Sequence, residues 1–163
     1  MEIPILFQRE VWVEILKERY GDKEIYGIEL GCLWGDTAGY LLKNIPSLYL
    51  ISIDISPIEP IITENVGVNM KRFTYLQSTT DFAAPLVKEK VDFVLVDADH
   101  SYEQCKKDIL NYLPLIKDDG FIGGHDYGTN SFPGVKQVVD EIFGSLVIKR
   151  EDFTWYVKNI LRG

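Results

Sequence analysis

Short apolar runs alternate with helical stretches along almost the whole chain, and this alternation limits the possible folds more than any other feature. Strand-like runs fall at 25–30, 48–55, 73–77, 91–96, 120–124, 146–149 and 154–157. Between them, Leu41, Leu42 and Ile45 share one side of a helix predicted over 36–45. Ile58, Ile61, Ile62 and Val66 keep helical spacing, a short helix is expected over 82–88, and Val135, Val138, Val139 and Ile142 mark another. A leading helix over 6–20 ends at Gly21-Asp22. Strand and helix in alternation predict an α/β domain with a doubly wound, largely parallel sheet. The run 91–96 is nearly continuous in apolar residues, as befits a strand covered on both faces.

Local signals refine the boundaries. Ser56-Pro57-Ile58-Glu59 reads as a helix start, with serine as cap and Glu59 three residues on, although Pro60 disturbs the first turn. Ser101 and Gln104 form a second capping box, opening a helix with the stripe Cys105, Ile109, Tyr112, Leu113 and Ile116. Arg150-Glu151-Asp152 reads as a hairpin turn between the last two strands.

The chain has 163 residues, 46% of them hydrophobic, enough for one domain over 1–163 with a leading segment 1–24 and a core over 25–158. Cys32 and Cys105 lie far apart and read as reduced core thiols. No apolar run approaches the ~20 residues that span a bilayer, and no basic start precedes a long apolar run. The expectation is a cytoplasmic protein without a membrane partner. A net charge of -8, with only short pairs such as Lys71-Arg72 and Lys149-Arg150, disfavours nucleic acid. A small molecule is the expected partner, and a homo-oligomer stays open.

Sheets of this class bind ligands beyond the C-terminal ends of their strands. After the first strand comes Glu29-Leu30-Gly31-Cys32-Leu33-Trp34-Gly35-Asp36-Thr37. Gly31 and Gly35 allow a tight turn and a close ligand approach to main-chain N–H groups. A dinucleotide fingerprint needs a glycine where Leu33 stands, so a cofactor without pyrophosphate suits this loop better. Asp54 follows the second strand, where a carboxylate can accept ribose hydroxyls. The fourth strand ends in Asp97-Ala98-Asp99-His100 and the fifth in Gly123-Gly124-His125-Asp126-Tyr127. Both histidines of the chain thus sit beside acids at adjacent strand ends. Histidine suits general-base chemistry near neutral pH, and facing carboxylates suit hard cations. Asp99, just before a capped helix, has an ordinary reading as a favourable charge at its N-terminus.

These residues resemble the class I S-adenosylmethionine-dependent methyltransferases. The likeness rests on Glu29-Leu30-Gly31, Gly35, Thr37, Asp54 and the stretch Val91 to Tyr102, and continues through Gly120-Phe121-Ile122-Gly123-Gly124-His125-Asp126-Tyr127. It is nearest to small O-methyltransferases of antibiotic sugars, with catechol and caffeoyl-CoA O-methyltransferases as cousins. The resemblance implies a Rossmann-like sheet of seven strands in the order 3-2-1-4-5-7-6, strand 7 alone antiparallel. It implies that S-adenosylmethionine is held by Glu29 and Gly31 at the methionine ammonium and by Thr37 at its carboxylate. Gly35 belongs to the same loop, Asp54 would bind the ribose, and Ile55 would lie against adenine. Gln77, Ser78 and Thr79 would line the adenine edge. His100 would be the general base, and Asp97 would serve both the cofactor site and a divalent metal, Mg or Mn, with Asp126.

Metal-dependent relatives carry a further acid or asparagine beside that second acid. Here the neighbours are His125 and Tyr127, so His125 joins the metal set, a choice that shifts preference toward Mn, Fe or Zn. The expected reaction is methyl transfer to a hydroxyl of a small molecule, a sugar or a phenol, with or without the metal. Two other readings stand beside it: a non-catalytic cofactor-binding module of the same fold, and a nucleotide- or NAD-binding enzyme. Little chain is left over for a substrate lid, which leaves the leading helix or a second subunit to supply one.

Overall fold

The strand signals close into one sheet: β1 (Ile25–Leu30), β2 (Leu48–Asp54), β3 (Phe73–Gln77), β4 (Val91–Val96), β5 (Ile116–Gly124), β6 (Ile148–Lys149) and β7 (Trp155–Val157). The strand order is β3-β2-β1-β4-β5-β7-β6. Parallel pairing runs from β3 to β5, and β7 lies antiparallel to both β5 and β6. The sheet order and the antiparallel seventh strand therefore match the sequence expectation. The computed structural model describes residues 6–158; the outer parts of the expected domain, 1–5 and 159–163, lie outside the described residues.

Helices α1 (Leu6–Tyr20), α2 (Asp36–Asn44) and α3 (Pro60–Val66) cover one face, and α5 (Tyr102–Tyr112) and α6 (Pro133–Phe143) the other, with the single turn α4 (Thr80–Ala83) beside them. Strand β4 shows why both faces are covered. All six of its residues are buried, with Phe93 and Leu95 packing among Trp12, Leu16 and Leu41, and Val94 and Val96 among Ile109, Val138 and Val139. Each such side chain contributes roughly 1.5–3 kcal/mol through burial. The one charge in the run is held: Asp92 Oδ2 accepts from Tyr26 N at 2.8 Å and Oδ1 from Lys117 Nζ at 3.0 Å.

Three local expectations fail, each for a steric or hydrogen-bonding reason. Ser56 does not cap a helix; α3 begins at Pro60, with Glu59 as its extended N-cap residue. Proline disfavours helical backbone in the residue before it, and the Ser56 N–H is already donated to Asp54 Oδ1 at 2.9 Å. The helix expected over 82–88 starts earlier and is shorter, because Thr79 accepts from Phe82 N and sets its cap. Ile116 leaves the α5 stripe to open β5, after a Leu-Pro-Leu turn closes the helix. The Ser101 box forms by half: its hydroxyl accepts from Gln104 N at 3.3 Å, while the Gln104 amide turns to Asp108 at 3.0 Å. Among the described residues no helix is long and apolar enough to cross a membrane.

Candidate active site

The C-terminal ends of β1, β2 and β4 open onto a cleft of about 1180 Å³. Gly31 closes its floor at a φ of +87°, and a Cβ there would lie 2.2 Å from the Asp97 carbonyl oxygen. Glycine at this position is thus required by the approach of β1 to β4 as well as by the turn. Leu33, at the fingerprint's missing glycine, adopts a left-handed φ of 50° with its side chain on the pocket wall. Leucine there carries a cost of roughly 1–2 kcal/mol.

Asp54 holds this loop in place. Its Oδ2 accepts from the N–H groups of Cys32 at 2.8 Å and Leu33 at 3.0 Å, and its Oδ1 accepts from Ser56. Partial burial pushes its pKa up, but these three main-chain donors outweigh it and hold the carboxyl below its ordinary range. Glu29 is its opposite. Fully withdrawn from water beside Ser52, whose hydroxyl donates to it, the carboxyl is pushed up to about 8 by burial. It is therefore mostly protonated at neutral pH.

The β4 and β5 ends meet around His100. Its Nε2 lies 3.1 Å from Asp97 Oδ1 and 2.9 Å from Asp126 Oδ2. Asp126, at a left-handed φ of 64°, turns the chain so that its carboxylate faces back onto the ring. Hydrogen bonds to Asp126 and then Asp97 raise the His100 pKa to about 10, so the ring is an imidazolium at neutral pH. Burial opposes ionisation of Asp126, yet the hydrogen bonds from His100 and His125 hold its pKa well below the usual range. Phe132 stacks on the far side of His100 with ring centres 4.3 Å apart.

Of the residues singled out from sequence, Glu29, Gly31, Thr37 and Asp54 line the cleft, as do Ile55, Ser78, Thr79, Asp97 and His100. Gly35 lies behind it at the N-cap of α2, packed on Ile62. Gln77 turns outward, its amide 3.5 Å from the Ile55 carbonyl. Asp126 stands behind His100. His125 sits apart from the converging donors: its Nε2 is 2.7 Å from the Asp152 carbonyl oxygen and its Nδ1 3.4 Å from Asp126. The trio whose donor atoms all lie within 4.8 Å of one another is Asp97, His100 and Asp126. Asp99 accepts from Ser101 N at 2.7 Å, the helix-start role expected of it. Both cysteines are buried, and burial pushes each thiol up to about 12.

Several lining residues were not anticipated. Thr80 and Gln104 line the cleft and both bond to the buried Asp108, which no sequence signal beyond its place in α5 marks. Phe132 comes from the loop before α6. Arg9 reaches in from α1, where it shares the face of Trp12 and Leu16 at i, i+3 and i+7. A charge on an otherwise apolar helix face is a legible signal. Altogether the wall carries the acids Glu29, Asp36, Asp54, Asp81, Asp97 and Asp99, against the Arg9 guanidinium and the His100 imidazolium.

Residues 28–127 match the family model described as a methyltransferase domain. The chain belongs to that family, the class I S-adenosylmethionine-dependent methyltransferases. A protein from Corynebacterium glutamicum is similar in structure, with a TM-score of 0.72 at 14% identity, covering 99% of this chain and 85% of that one. The TDP-rhamnose 3'-O-methyltransferase CalS11 of calicheamicin biosynthesis matches with a TM-score of 0.70 at 10% identity, over 96% of this chain and 81% of that one. MycE, a methyltransferase of the mycinamycin pathway solved with Mg and SAH, gives 0.68 at 14% identity, over 91% of this chain and 48% of that one. At such identities the methyltransferase and its neighbours share a fold. No curated protein matches it in sequence.

Proposed function

We propose that this methyltransferase moves a methyl group from S-adenosylmethionine to a hydroxyl of a small molecule. The observation that carries the reading is the charge of the cleft: five carboxylates and the protonated Glu29 stand around a glycine turn, against the Arg9 guanidinium and the His100 imidazolium. Such a wall favours a ligand carrying sulfonium and ammonium and repels a pyrophosphate, which argues against a dinucleotide. Glu29 fits an ammonium especially well, since a cation beside it offsets the desolvation that keeps it protonated. Asp54 would take the ribose. A carboxylate has roughly four acceptor positions; three main-chain donors and the Ser56 side chain already engage Asp54, so a ribose hydroxyl would share or displace one of them. Ile55, Ser78 and Thr79 would face the adenine, with Thr37 near the methionine carboxylate.

The cofactor supplies the electrophilic methyl; the chain's part is to align the acceptor with it and remove the hydroxyl proton. We assign that role to His100, which lines the cleft and stacks with Phe132. Held between Asp97 and Asp126 it is charged, so it accepts a proton only after losing its own, and turnover should climb with pH toward about 10. As an alternative to that base role, Asp97, Asp126 and a deprotonated His100 have the donor types and spacing for a divalent cation. A cation there would lower the pKa of an acceptor hydroxyl.

Calorimetric titration with S-adenosylmethionine tests the cofactor, and turnover on sugar and phenol panels tests the acceptor. Full activity in excess EDTA would remove the cation from the reading. A non-catalytic role gains support from the paired state of His100, and a flat pH profile with no methyl transfer to any hydroxyl would favour it.

A further inference from the structure

Arg9 is a charged residue of the cleft wall to which the proposed function gives no role of its own. Its side chain is 16% exposed, and its only ion pair among the described residues is a long one, Nη2 to Asp36 Oδ2 at 3.6 Å. Its Nε is buried and has no hydrogen-bond partner among the described residues. Arginine stays charged at any working pH, so this guanidinium has given up water for little in return. An arrangement of this kind is completed by an anion. Trp12, Ile15 and Leu16 anchor α1 in the core, so the helix holds Arg9 against the cleft. The nearby first turn of α2 leaves its N–H groups without a capping side chain.

Glu29, also in the wall, lies close enough to be stabilised in its charged form by the Arg9 guanidinium across this end of the cleft. A buried acid and a partly buried guanidinium in one wall fit the two ends of a zwitterion. We infer that Arg9 is a specificity residue that binds the carboxylate of the cofactor's amino-acid tail, while Glu29 takes its ammonium. The inference rests on the S-adenosylmethionine reading of the cleft. It adds that α1, outside the strand–helix core, is part of the cofactor site, and that the cofactor is read through its free carboxylate.

The test compares S-adenosylmethionine with decarboxylated S-adenosylmethionine, which keeps sulfonium, ribose, adenine and amine. Affinities are measured by calorimetry for the wild-type chain, Arg9→Met and Arg9→Lys, with thermal unfolding of each. The wild-type chain should favour the intact cofactor about 10- to 100-fold, the range of a charge-assisted pair. Arg9→Met should lose most of that preference while binding the decarboxylated compound as before, and Arg9→Lys should keep part of it. Because the readout is a ratio within each variant, a general loosening of α1 does not imitate it. Equal weakening for both compounds in Arg9→Met, or no wild-type preference, overturns the role of Arg9 and leaves the cofactor reading standing. A wild-type chain that binds neither compound overturns both.

Discussion

The two halves of the cleft hold their charges in different ways. On the β1–β2 side, Asp54 is fixed by main-chain N–H groups of Cys32, Leu33 and Ser56, donors that do not titrate or swing away. On the β4–β5 side, Asp97, His100 and Asp126 satisfy one another through side chains, and the proton they share is exchangeable. The first half is suited to gripping a ligand in one pose. The second is suited to changing its protonation during a reaction. The same acid chemistry thus becomes scaffold or reagent according to what its oxygens face.

Substitutions can break this contrast from either side. The largest effect is expected at the exchangeable half: His100→Ala should lower turnover by about 10²–10⁴ while cofactor affinity stays within a few fold. Loss of both together would mean that the two halves act as one. Next comes the scaffold, where Gly31→Ala forces a methyl into the Asp97 carbonyl and should cost roughly 2–4 kcal/mol in chemical denaturation. Asp54→Ala frees three main-chain donors, and its cofactor affinity should fall by about 10- to 100-fold, equivalent to roughly 1.5–3 kcal/mol. Turnover at saturating cofactor should change less.

Smaller effects sharpen the comparison through pH. The folded-state pKa of His100 is raised, so its stabilising contribution is complete below about 6.5 and is lost as pH rises through about 10. The stability gap between wild type and His100→Gln, roughly 1–2 kcal/mol at pH 6, should close by about pH 10–11 on that basis. Glu29 is raised as well, by burial, so folding with this acid grows less favourable as pH rises from about 4.5 to 8. Glu29→Gln should remove that slope. Wild-type binding of the cofactor near pH 7 should release a fraction of a proton, detected by calorimetry in buffers of different ionisation enthalpy, and Glu29→Gln should release none.

Much of this is legible in the residues alone. Period and punctuation locate every strand of the sheet, because a strand covered on both faces needs a run such as Val91 to Val96, whatever lies around it. The glycine turn and the acids at the strand ends are likewise local. Helix starts were read less well. Ser56 looked like a cap, but Asp54 had already claimed its N–H, and that competition depends on how β2 ends in space.

The sequence by itself determined an α/β sheet, the edge at which it would bind, and the acids and histidines gathered there, since each follows from short-range pattern. Tertiary structure decided which atoms share a proton and which groups lose water. It set His100 between two carboxylates, moved His125 onto the Asp152 carbonyl, turned Gln77 away and brought Arg9 in from a distant helix. Those outcomes rest on distances of about 3 Å between segments far apart in the chain, the range over which hydrogen bonds and desolvation act.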